Sequence, residues 1–304
     1  MPGAVRQARD AMSIQTALAI VFTVLPVVVL LRYFYTRDVH REPRTALVKT
    51  FLLGLLVTIP AIPLSLGLSA VLPLFSPGPL LAALYDAFVV AAIPEELLKL
   101  LVIALYCARR VSFDEPMDGV VYGATAALGF AALENVLYVV GGGLTVALAR
   151  SVTAVPMHAA MGAVLGHYVA RARFGGGRRI DVWKGWGIAV LMHGLYDFGP
   201  MALSRLAAAE TPPAGMGLLF LGLFLLFLGV VITSGVSMRQ RIRRLRTAQL
   251  VAQLHAREGD PVAVTLPTPV DSPGTSAGTG PVPCEVEGPR PVEKSGPEGS
   301  DGLR

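Results

Sequence analysis

Seven apolar runs alternate with short polar stretches along this chain, at roughly residues 14–34, 48–73, 80–106, 118–140, 151–171, 183–204 and 215–237. Each is long enough for the ~20 residues with which a helix crosses the hydrocarbon core. The runs are continuous and do not alternate with period two, which predicts helices rather than barrel strands. The expected fold is therefore all-α, a polytopic membrane bundle of about seven transmembrane helices. The four central runs differ from the rest. They carry Glu95, Glu96, Lys99, Glu134, His158, His193 and Asp197, whereas the interiors of the flanking runs carry no acidic, basic or histidine side chain. A charge at bilayer depth costs roughly 2.5–3.5 kcal/mol on insertion scales, so such groups point to function by default.

Composition agrees with the pattern. Charged residues are 15% of the chain, against about 25% in a typical soluble domain. Mean hydropathy is +0.59, so the 304 residues read as one membrane domain rather than two soluble ones. The net charge of +5 sits in short loops and in a basic stretch after residue 238, a distribution that speaks for membrane topology and against nucleic acid. Basic residues crowd the loops after runs one, three and five and the segment after run seven. The alternate loops hold only Arg150 and Arg205. The positive-inside rule then gives an outside N-terminus and a cytoplasmic C-terminus, with only Arg6 and Arg9 opposed.

The first run has no convincing small-residue cleavage site and leads straight into a basic loop, so it reads as a retained helix. Residues 1–13 form an N-terminal segment, 14–237 the transmembrane domain, and 238–257 a basic juxtamembrane helix that reads as a stop-transfer anchor or as a contact with anionic lipid. Residues 258–304 hold nine Pro and eight Gly, a composition that cannot bury a core and predicts disorder. The two cysteines, Cys107 and Cys284, suggest neither a disulfide framework nor a metal site.

Run three reads Ile93-Pro94-Glu95-Glu96-Leu97-Leu98-Lys99. Glu95 and Lys99, at i and i+4, share a face and can pair. Glu96 is turned about 100° away, and Pro94 can kink the helix. Run four holds Phe130 and Glu134-Asn135, run five Pro156-Met157-His158, and run six His193 four residues before Asp197. Each of these alone could be an ion pair or hydrogen bond that packs helices. Together, on four successive runs and at similar expected depth, they predict one polar site from the midplane towards the outer leaflet.

Two arrangements of these groups can activate water. In one, Glu95 takes a proton from water while an imidazole stabilises the oxyanion. In the other, Glu134, His158, His193 and Asp197 ligate a metal, and nitrogen and oxygen donors suit Zn²⁺. Neither H-E-x-x-H nor G-x-S-x-G occurs.

The series Glu95-Glu96-x-x-Lys99, Phe130-x-x-x-Glu134-Asn135, His158 and His193-x-x-x-Asp197 resembles the PrsW family of intramembrane proteases. The segment with Asp38 and Glu42-Pro43 is also similar, and the resemblance covers about residues 20–235. It implies a bacterial cell-membrane peptidase, termed a metalloprotease, that cuts a membrane-spanning protein. In the family's best-known role this is site-1 cleavage of an anti-sigma factor under envelope stress. It further implies importance for Glu95, Glu96 and Glu134. The related CAAX-protease pattern has His where this chain has Glu134, so the prenyl-protease mechanism does not transfer directly. The competing reading is a proton- or cation-coupled transporter using the same buried groups, against which stands the absence of an inverted repeat.

Overall fold

The computed structural model describes residues 2–75, 78–175, 178–208 and 216–258, all within one compact unit, Met1–Pro267. Every regular element among them is helical, as the continuous apolar runs predict. The helices are α1 (Pro2–Arg37), α2 (Arg44–Ser69), α3 (Pro79–Tyr85), α4 (Ile93–Leu101), α5 (Pro116–Val152), α6 (Ala154–Phe174), α7 (Arg179–Ala207) and α8 (Met216–Glu258). A π-helical stretch, Asp86–Ala92, joins α3 to α4, and a second, Val102–Tyr106, follows α4. The third apolar run is thus one rod of changing pitch. Pro94 stands in the first turn of α4, where the wide turn before it absorbs the missing N–H donor.

Two sequence boundaries disappear in the structure. Residues 2–13 continue into the first apolar run as α1, and the run at 215–237 continues through the basic stretch as α8. The tail for which disorder is expected lies, beyond Glu258, outside the described residues.

Four stretches are long and apolar enough to cross a membrane: Ala17–Arg37, Arg44–Leu74, Pro116–Val152 and Gly217–His255. Their outward side chains are large and apolar, among them Val28 and Val29 on α1, Leu56 and Ile59 on α2, and Phe224 and Leu225 on α8. A surface of this kind suits lipid rather than water. The third rod, α6 and α7 fall outside that set, and they carry every candidate site residue except Glu134.

α5 is the axis of the bundle and packs on α1, α2 and α6. Its residues from Met117 to Ala131 are buried without a break. Two small-residue seams allow this. A Cβ on Gly123 would stand 2.1 Å from the Gly162 carbonyl oxygen, and one on Gly166 only 1.7 Å from that of Gly119. On the other side, a Cβ on Gly54 would meet the Ala126 oxygen at 2.0 Å. Backbone-to-backbone packing of this kind is how helices associate where no hydrophobic drive separates lipid from protein. It fixes α5 against α6, and so Glu134 against His158.

Candidate functional site

Lys99 is the hub of the site. Its ammonium donates to Glu96 Oε1 at 2.7 Å, to Glu95 Oε2 at 3.4 Å and to His158 Nδ1 at 3.0 Å, and lies 4.2 Å from the Phe130 ring centroid. The sequence predicts the Glu95–Lys99 pair. In the structure Lys99 serves both carboxylates and sits closer to Glu96. Helix geometry explains this: at 100° per residue Lys99 projects about 40° from Glu95 and about 60° from Glu96, between the two.

The imidazoles extend the network across helices. His193 Nδ1 donates to Glu96 Oε1 at 2.8 Å, and its Nε2 lies 3.1 Å from Asp197 Oδ2 and 3.9 Å from Glu95 Oε2. His158 Nε2 lies 2.8 Å from Glu134 Oε2. The two rings meet edge to face at 5.5 Å. The third rod, α5, α6 and α7 therefore each contribute, and all seven sequence candidates fall in one connected cluster.

Arg150 belongs to this cluster, although the sequence pattern counts it only as an outer-loop charge. Its Nη2 lies 2.9 Å from Glu134 Oε2, its Nε donates to Asn135 Oδ1 at 2.6 Å, and the guanidinium stacks 3.9 Å from the Tyr138 ring centroid. In a straight helix Glu134 and Arg150 would stand about 24 Å apart along the axis. Gly143, at φ 64°, breaks α5 and lets the chain turn back. L side chains rarely adopt that conformation. The sequence signal was the triplet Gly141-Gly142-Gly143 seven residues before a lone arginine.

Exposure sorts the cluster into two layers. Glu96 and Lys99 are sealed, and the His158 and His193 side chains are 4% and 3% exposed. Glu95, Glu134, Asp197 and Arg150 remain reachable, at 12–19%. Glu96 Oε2 is the exception within the sealed layer, being buried without a hydrogen-bond partner.

Ligand atoms of Glu95, Glu134 and His158 lie within 4.8 Å of one another. Two carboxylates and an imidazole fit a catalytic transition-metal site in donor type and number. Of the tentative ligands Glu134, His158, His193 and Asp197, the first two belong to this group. His193 and Asp197 lie against each other instead, and both ring nitrogens of His193 face carboxylate oxygens.

The chain matches the family model described as PrsW family intramembrane metalloprotease over residues 42–232. "Protease PrsW" of Geobacillus kaustophilus (strain HTA426) is 36% identical over 184 residues, covering 60% of this chain and 79% of the relative. The protein of that name in Bacillus subtilis (strain 168) is 34% identical over 185 residues, covering 60% and 82%. The one in Clostridioides difficile (strain 630) is 30% identical over 183 residues, covering 58% and 76%. No solved structure matches. The chain belongs to the PrsW family: it is an intramembrane protease and a multi-pass membrane protein.

Proposed function

We propose that this protease hydrolyses a peptide bond of a single-pass membrane protein with water activated at the Glu95–Glu134 face of the cluster. The observation that carries the reading is the layered network, in which reachable carboxylates are backed by a sealed Glu96–Lys99–His193 frame. Glu95 is the general base. Its neighbour Lys99 and the facing His193 hold its carboxylate in place. Arg150 and His158 offer the hydrogen-bond donors beside Glu134 that a developing oxyanion needs. Glu96 and Lys99 position; Asp197 orients the His193 ring.

If the family's metal is resident, Glu95, Glu134 and His158 would hold it, and it would supply Lewis-acid polarisation and an acidified water. Zn²⁺ suits that donor set. A ring bound through one nitrogen carries its proton on the other, so His158 would then no longer accept from Lys99, which would serve Glu95 and Glu96 alone.

An N-terminus outside and a C-terminus in the cytoplasm accord with the basic loops. The contacts of the α1–α2 loop with the segment before α5 and with the end of α8 support one part of that topology, since all three must share one side. A membrane-spanning anti-sigma factor is the substrate class the family resemblance suggests.

Glu95→Gln tests the reading. Purified into lipid, the variant should lose at least about 100-fold in cleavage of a single-pass reporter, with membrane abundance and melting unchanged. Undiminished cleavage removes Glu95 from the chemistry. Elemental analysis of the wild-type chain beside Glu134→Ala and His158→Ala separates the two routes: a stoichiometric metal lost in both variants marks the metal route, and cleavage by metal-free protein marks the other.

A further inference from the structure

A second group of carboxylates gathers away from the membrane site, where three distant segments meet. Asp38 and Glu42 come from the loop between α1 and α2, Glu115 and Asp118 from the start of α5, and Gln249 from the far end of α8. Carboxylate oxygens of Asp38, Glu115 and Asp118 lie within 4.8 Å of one another. Asp38 is 3% exposed and Asp118 fully buried. Asp38 uses one oxygen and leaves the other idle. Asp38 Oδ1 accepts from the His40 amide at 3.1 Å and from Gln249 Nε2 at 2.7 Å, while Oδ2 is buried with no partner. Asp118 Oδ2 accepts from the amides of Asp114 and Glu115 at 2.8 and 2.7 Å, as half of a capping box whose N-cap is Glu115, and its carboxyl also meets that of Glu42.

Little positive charge answers these acids. Among the described residues the one basic contact is His40, half-exposed, with Nδ1 3.1 Å from Glu115 Oε2. Glu42 instead accepts from the Tyr122 hydroxyl. Burying carboxylates together without a counter-charge is costly. The strain is visible in their acidity: burial, and then the nearby Glu115 and Glu42, push Asp38 up to about 6, and burial raises Glu42 as well.

We propose that Asp38, Glu115 and Asp118 bind a hard divalent cation of the Mg²⁺, Ca²⁺ or Mn²⁺ class, which pins the end of α8 to the α1–α2 loop. The donors are oxygens only, and no thiol lies among them, which selects that class over zinc or copper. The idle Oδ2 of Asp38 is the ligand atom the fold leaves free. Gln249 already ties α8 to the loop, with its Oε1 accepting from the Val39 amide at 3.3 Å and its Nε2 donating to both Asp38 and Glu115. The ion neutralises the carboxylates that this tie brings together. Gln249 lies outside the family-matching residues 42–232, so the tie from α8 comes from sequence beyond the shared protease domain. The inference does not depend on the chemistry proposed for the membrane cluster.

The test is Mn²⁺ binding to the purified full-length chain in detergent, read as loss of the free-ion paramagnetic resonance signal. The expected result is saturable binding that excess Mg²⁺ or Ca²⁺ displaces. A class of sites should weaken at least about tenfold in Asp38→Asn and in Glu115→Gln, and that class should persist in Glu134→Gln. Glu115 is partly exposed, so its variant keeps the test alive should Asp38→Asn fail to fold. Absence of saturable Mn²⁺ binding would overturn the site and leave protons as the neutralising species. Binding that survives both loop variants, or that disappears only in Glu134→Gln, would overturn it equally.

Discussion

At the membrane cluster Glu96 meets Lys99 at 2.7 Å and His193 at 2.8 Å, and Glu134 meets Arg150 at 2.9 Å and His158 at 2.8 Å. At the loop cluster Asp38, Glu42 and Asp118 form no ion pair among the described residues. The two clusters hold similar numbers of acids and solve the same problem differently. Inside the bilayer no solvent ion is at hand, so charge must be balanced by the chain's own bases. Outside it, protons and cations are available from solution, and the fold can leave a carboxylate oxygen idle. A self-balanced cluster should therefore respond sharply to loss of one partner and little to the medium. An unbalanced cluster should show the reverse.

The largest effect is expected at Lys99. Lys99→Met leaves the sealed Glu96 carboxylate with His193 alone, and removing one partner of a buried pair costs about 3–5 kcal/mol. The unfolding midpoint should drop accordingly and cleavage should vanish. Adding Glu96→Gln to the same chain should restore most of the stability but not the activity, because the under-balanced charge is gone while the frame is not rebuilt. A double variant no more stable than Lys99→Met would show that the pair is not the balance described here.

Arg150 comes next. Arg150→Met leaves Lys99 as the remaining cation near Glu134, with the His158 ring as its hydrogen-bond donor, and both ends of the lost pair are slightly exposed. A cost of about 2–3 kcal/mol, below that for the sealed pair, is expected, with cleavage down about 100-fold by the loss of one donor. Wild-type cleavage in this variant would place Arg150 in the structural role alone.

Arg150 also marks where the sequence stops being legible. The acids and histidines were readable because each breaks an apolar run. Their convergence was readable because successive spans can be aligned by depth. Arg150 breaks no apolar run, and its return to Glu134 depends on the backbone at Gly143, which no hydropathy pattern encodes. The third rod shows the same limit: its polar residues were clear, its π-helical pitch was not. Likewise the glycines at 119, 123, 162 and 166 count in a hydropathy profile only as mild interruptions, though they set the contact between α5 and α6. The loop cluster was half visible. Asp38 and Glu42 stood out, but their partner Gln249 lies 211 residues from Asp38, in a segment whose basic composition suggested only an anchor or lipid contact.

The smallest effect, and the one that separates the clusters by their response to the medium, is the pH dependence of stability without divalent ions. Asp38 faces Glu115 and Asp118 from α5, Glu42 and His40 from its own loop, and Gln249 from α8. Burial first, with Glu115 and Glu42 adding, raises its native pKa from 3.8 to about 6. The native state thus holds the proton more tightly than the unfolded chain. The stability this contributes is full below pH ~4 and is lost as pH rises through about 6, at most about 3 kcal/mol. In chelator, Asp38→Asn escapes that loss and should gain on the wild type between pH 4 and 7. A wild-type-minus-variant difference that stays flat across this window would mean that Asp38 is already neutralised by its neighbours, and that the loop cluster is as self-sufficient as the one in the membrane.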